Sequence, residues 1–483
     1  MVVWGLIGIG SNIESGKQQP SPSERQPTSK LDDLQAGSAG IKEKVDKREP
    51  YPDYTIKASL DEESARIQGK LELTVENPGT DQLLFYAYPY DWAPMDIHEV
   101  QLNGQEIGFE FDGKNLTVNN EKEKRTLDVW IEFETPVPRT GTRFGVKDNV
   151  WLITTWYPML GVLDEDGQWI ERPNPINMGD PFYFNFANYT VEWTAPSDFK
   201  WVSSGSLESE TADEEQNTAV WKVDRVRNFA LVGSPNYLIR TFPLNDQTTI
   251  SIALTDEANF KKVEEIAQNT YPLFTEIYGK LPYADVAIAE TSYGTNYALE
   301  YPNLAIFSKD MYAQDKIEHW IPHEVGHTWW YNAVGVNETD NGWFDEGLAE
   351  QGVVWYLEKR YSKSRGQKLW DEYRAEHRAL IENYPGQSMD AGLYGFSNYK
   401  EFDYAWYSRA ADMFLTVRRA LGDEKYVQFL NTLYEHNISK VGDEKSLNEA
   451  LKQSLGLKTD FFSDWLHEPY TDTEWEVQFE EIQ

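Results

Sequence analysis

The clearest early pattern in the chain has a period of two. Polar residues alternate with Ile67, Gly69, Leu71, Leu73 and Val75, and again with Leu127, Val129, Ile131 and Phe133. Such alternation puts every second side chain on one face and predicts half-buried strands. Asn103-Gly104 and Asp112-Gly113 fall between runs of this kind. They predict tight hairpin turns, which need residues tolerant of positive φ. From Tyr51 to about Tyr237 the pattern predicts an antiparallel β domain, with no catalytic cluster visible inside it.

Near residue 256 the period lengthens. Phe260, Val263, Ile266 and Ala267 recur at three-to-four spacing, which gathers them on one helical face. Short apolar runs at Val286–Ala289 and Leu304–Phe307 read as strands, followed by helices expected over about Tyr312–Asn332 and Trp343–Arg360. From Tyr404 onward the chain reads as mostly helical, with a capping box at Ser446 and Glu449 ahead of Leu451 and Leu455. These patterns predict an α+β multidomain chain: a β-sandwich-like domain over 51–240, a mainly helical domain over 241–470 and an acidic tail over 471–483. The length of 483 residues agrees, being more than one typical domain needs.

The first fifty residues follow neither period. Val2–Ile9 is apolar but too short to span a bilayer, and it lacks the basic start of a secretory signal. Ser11–Pro50 is rich in Ser, Pro, Gln, Lys, Glu and Gly and reads as a flexible tether. An apolar start followed by a tether is the pattern of a body held away from a membrane.

Composition narrows the function. Acidic residues outnumber basic ones by 80 to 44, giving a net charge of −36, which excludes nucleic acid as a main partner. Cysteine is absent, so disulfides, iron–sulfur clusters and thiol nucleophiles are excluded. The lack of cysteine leans toward an extracellular or envelope-anchored protein, with a cytoplasmic one as the alternative.

The chemistry lies in His323-Glu324-Val325-Gly326-His327. On a helix, this HExxH spacing sets two imidazoles one turn apart on a single face, as a tetrahedral metal requires. Glu346, nineteen positions after His327, can supply the third ligand and leave the fourth position to water. A structural zinc site would instead be closed by four protein ligands. Glu324 is placed to take a proton from that water as general base. Val325 and Gly326 are spacers, the glycine allowing close packing beneath the metal. Glu350, one turn after Glu346, is either a partner for a ligand imidazole or a solvated acid. His319 lies on the face of His323, but three ligands in one straight helix cannot converge on one ion. It is expected to be a packed or surface histidine. Pro322 should loosen the turn before it.

The order of motifs resembles the aminopeptidase N family of zinc metallopeptidases, the gluzincins, in a short two-domain form. That family carries HExxH, then a glutamate in a W-x-N-E-G-F-A context, matched by Trp343-Phe344-Asp345-Glu346-Gly347-Leu348-Ala349 with Asp345 in place of Asn. Tyr297-Ala298-Leu299-Glu300-Tyr301-Pro302 is similar to the family's G-A-M-E-N or G-M-E-Y-P segment, and Tyr407-Ser408-Arg409-Ala410-Ala411 to its Y-S-K-G-A segment. Trp156-Tyr157-Pro158 and Phe229–Pro235 extend the resemblance over roughly residues 50 to 470. It implies a thermolysin-like catalytic domain and one zinc ion held by His323, His327 and Glu346. It also implies peptide substrates whose free α-amine is bound by Glu300, and an oxyanion stabilised by Tyr407. Tyr404, one turn earlier, is the rival for that last role. Two other functions compete with an aminopeptidase: a zinc endopeptidase with the same metal site, and a non-catalytic binding scaffold of the same fold.

Overall fold

A computed structural model describes residues 51–482 apart from 92–93, 140–142, 172–177, 295–296, 313–315 and 471–476. The apolar start, the tether and most of the acidic tail therefore lie outside the described residues. Of that tail, Glu480–Glu481 pairs antiparallel with Leu457–Lys458.

The period-two segments are strands, and their alternation sets their faces. Arg66–Glu76 buries Ile67, Leu71, Leu73 and Val75, while Thr126–Pro136 buries Leu127, Val129, Ile131 and Phe133. These two strands pair antiparallel near the middle of an eight-stranded sheet. The sheet is not wholly antiparallel as expected, because Asp53–Asp61 runs parallel to Ala187–Pro196. A long connection separates those two strands in sequence, so no hairpin dictates their direction. Two four-stranded sheets complete the β-rich part. Trp156 lies edge-on to Trp193 in its core, at 5.4 Å between ring centres.

A five-stranded mixed sheet begins the second part, in the order Leu238–Pro243, Thr249–Leu254, Asp285–Thr291, Leu304–Ser308, Ala298–Tyr301. Its edge hairpin turns through Asn303, whose φ of 57° is one that asparagine tolerates better than most residues. Helix α1 (Phe260–Tyr278) buries the face anticipated from its spacing. Helix α2 (Ile317–Gly326) packs on the edge hairpin, and α3 (Trp343–Arg360) packs on α2. Gly326 makes that approach possible, since a Cβ there would lie 3.2 Å from the Ala349 backbone.

Helix α2 is shorter than the periodicity suggested. After Gly326 the backbone tightens, with Thr328 and Trp329 donating to Val325 and Gly326 three residues back, and it then reverses at Tyr331 with φ of 118°. Pro322 lies within the helix without ending it. Helix α4 (Lys363–Asn383) follows, then α5 (Tyr399–Asp403), one π-helical turn over Tyr404–Arg409, and α6 (Ala410–Leu421). The capping box lies three residues before the expected place: Asp443 is the cap of Glu444–Leu455, and Ser446 is its reciprocal partner. Among the described residues no helix is long and apolar enough to cross a membrane.

Candidate active site

Helix α2 and the residue that caps its end present His323 and His327 side by side, and the first turn of α3 brings Glu346 to meet them. The two Nε2 atoms are 3.1 Å apart, and Glu346 Oε2 lies 3.1 Å from one and 3.5 Å from the other. A tetrahedral ion with bonds of 2.0–2.1 Å spaces its ligand atoms about 3.3 Å apart. The triangle therefore fits zinc in size and in donor type. Glu346 Oε2 is buried without a hydrogen-bond donor, as an atom reserved for a cation would be.

The outer ring nitrogens explain why the inner ones face inward. His327 Nδ1 donates to Trp330 O at 3.0 Å, a carbonyl supplied by the reversal after α2. His323 Nδ1 lies 3.1 Å from Glu350 Oε1. Each contact favours the tautomer whose Nε2 lone pair points into the triangle. Burial works against a charged His323, but Glu350 and Glu346 outweigh it and hold the imidazole well above its ordinary basicity. Burial also pushes Glu346 up, yet the two imidazoles bring it down to about 2. His319 does not ligate; its Nε2 lies 3.1 Å from the same Glu350 oxygen.

Glu324 is buried, and its Oε2 has no donor. Glu300 stands on the edge strand Ala298–Tyr301. One oxygen of each carboxylate and one nitrogen of His327 all lie within 4.8 Å of one another. A third carboxylate arrives from the β-rich part: Asp180 lies beside Glu300 and is ion-paired to Arg143. Arg143 is held in turn by Gly179 O at 3.1 Å. Burial, then Asp180, then Glu324 drive the Glu300 carboxyl well above its usual range, with Arg143 opposing them. Burial likewise lifts Glu324 to about 8; Glu346 and Asp180 add to this, while His323 and Arg143 resist. The three crowded acids make a place that attracts positive charge.

The β-rich part thus reaches a site whose candidate catalytic, substrate-binding and metal residues the sequence places in the second domain. Nothing in the spacing of Arg143, Asp180 and Glu300 signals this, because only the packing of the two parts brings them together.

The π-helical turn carries Tyr407. Its hydroxyl donates to Glu346 Oε1 at 2.5 Å, and its ring stacks on His323 with centres 5.8 Å apart. Tyr404 faces away, with Lys400 Nζ lying 5.0 Å from its ring centre. Buried Arg409 anchors the turn through Trp465 O at 2.8 Å. Wider turns of this kind recur at functional sites, because one extra residue re-aims a side chain without ending the helix.

Residues 260–465 match the Peptidase family M1 domain. No curated protein matches the chain. Among solved structures, a mutant M1 zinc metallopeptidase from Deinococcus radiodurans is similar with a TM-score of 0.66 and 16% identity, over 88% of this chain and 96% of that one. A mutant from the same organism bound to a Tyr-Ser-Ala substrate gives 0.64 and 16%, over 84% and 91%. Legionella pneumophila aminopeptidase A in complex with aspartic acid gives 0.63 and 15%, over 87% of this chain and 50% of that one. Identities this low speak to the fold alone. Residues 260–465 therefore form a Peptidase family M1 domain that brings a His–His–Glu triangle together, in a chain that shares the fold of the M1 zinc metallopeptidases.

Proposed function

We propose that the protein is an aminopeptidase, removing the first residue of peptides that have a free amino terminus. The observation that carries this reading is the placement of Glu300, whose carboxylate shares a space of 4.8 Å with Glu324 and His327. In a peptide the α-amino nitrogen and the first carbonyl carbon are about 2.5 Å apart. An ammonium group held by Glu300, with Asp180 beside it, therefore leaves the first peptide bond at the ligand triangle and excludes later bonds. Solved relatives bound to a Tyr-Ser-Ala substrate and to L-arginine support peptides as the substrate class.

Zinc held by His323, His327 and Glu346 would polarise the scissile carbonyl and acidify a water. The residues of the chain supply the proton traffic. Glu324 takes a proton from the attacking water and delivers it to the leaving amine. Tyr407, its hydroxyl resting on Glu346, is within reach of the oxyanion and donates to it as charge develops. Replacing Glu300 tests the reading. In Glu300→Ala the kcat/KM for free-amine substrates should fall by at least about 30-fold, the lower end for a lost buried charge pair. Unchanged kinetics would favour an endopeptidase that ignores the amino terminus.

A further inference from the structure

We propose that His319 and Tyr373 are positioning residues that clamp Glu350 and thereby fix the zinc-ligand imidazole of His323. The proposal rests on the metal site and not on which peptide bond is cut. His319 lies one helical turn before His323, and both side chains face α3, where Glu350 stands one turn beyond Glu346. Glu350 Oε1 is 3.1 Å from His319 Nε2 and 3.1 Å from His323 Nδ1. Its Oε2 accepts from the Tyr373 hydroxyl, which comes from α4. The Trp320 ring stands edge-on to both imidazoles, at 4.9 Å from His319 and 5.2 Å from His323.

A buried carboxylate with a single partner can rotate about its last bond and present either oxygen. Here donors from two other helices occupy both oxygens, so the carboxylate plane is fixed. The carboxylate charge at Oε1, 3.1 Å from Nδ1, favours a proton on that nitrogen and an Nε2 lone pair aimed at the metal triangle. The His319 side chain is open to solvent, at 28% exposure, while those of Glu350 and His323 are 3% and 2% exposed. Its imidazole therefore closes the network on the outer side. Partners at this distance from a metal commonly change its affinity by 10–100-fold when removed.

Zinc affinity of the full chain, measured by competition with a chromogenic chelator, tests the assignment. Tyr373→Phe, which removes only the hydroxyl, and His319→Ala should each raise the zinc Kd about 10-fold, and Glu350→Ala up to about 100-fold. Adding either substitution to Glu350→Ala should change nothing further, because the clamp then holds nothing. His319→Gln, whose amide can still donate to Oε1, should recover most of the affinity. A zinc Kd within two-fold of the parent for Tyr373→Phe would overturn the proposal. So would equal losses with and without Glu350, which would mark both residues as packing elements. If His319→Ala does not fold, Tyr373→Phe in the two backgrounds decides alone.

Discussion

Glu324 stands between His323 and His327, two residues of the candidate metal triangle, and the proposed function gives it a separate task, that of the base. Glu324→Gln removes the base while keeping size and polarity, so zinc should stay bound while kcat falls by about 10²–10⁴. Loss of the metal in that variant would make the residue structural. Tyr407→Phe should lower kcat by about 10²–10³ with little change in KM, as for other single oxyanion donors. Tyr404→Phe should leave kcat near its parent value, since that ring faces Lys400; the opposite pattern would move the role one turn earlier. The raised basicity of His323 in the metal-free protein has its own consequence. A ligand imidazole must be neutral, so zinc uptake releases this proton and affinity should drop as pH falls. Calorimetry in buffers of different ionisation enthalpy would count the proton, and a pH-independent affinity would contradict the assignment. At this scale much was legible in the sequence. His323, His327 and Glu346 are ordered by helix spacing and one short connection. Asp180 and Arg143 were not, because they meet Glu300 only through packing between the two parts.

Among the elements, α3 was readable to its ends and α2 was not, for a physical reason. The first turn of α3 carries Asp345 and Glu346, acids suited to a helix start, and its last turn carries Lys359 and Arg360. The end of α2 is set instead by a backbone reversal that delivers Trp330 O to His327, an arrangement with no local signature. The capping box was displaced because Asp443 competes with Ser446 for the cap and has its own reciprocal partner. Close packing of helices also makes a prediction. A Cβ on Gly347 would lie 2.6 Å from Ala410 Cβ and 3.0 Å from its backbone, where α3 meets the start of α6. Gly347→Ala should therefore destabilise the protein by about 1–3 kcal/mol through overpacking. A lowered urea midpoint at unchanged slope would show it; an unchanged midpoint would mean that α6 shifts freely.

At the scale of the whole molecule, the β-rich part is more than a scaffold, since Asp180 stands beside Glu300 under the hold of Arg143. If Glu300 holds the amine as proposed, Asp180→Asn should raise KM for free-amine substrates more than it lowers kcat, because Asp180 neighbours Glu300. An effect confined to kcat would place it elsewhere in the cycle. The net charge of −36 agrees with a preference for a cationic group but does not locate one; the crowding of Glu300, Glu324 and Asp180 does. The most direct test of an amino-terminal peptidase compares one aminoacyl reporter with its amino group free and acetylated, with and without a zinc chelator. Free-amine substrate should be preferred in kcat/KM by at least about 30-fold, as expected when a buried charge pair is lost, and the chelator should abolish both rates. Equal rates on the free and acetylated reporters would contradict it.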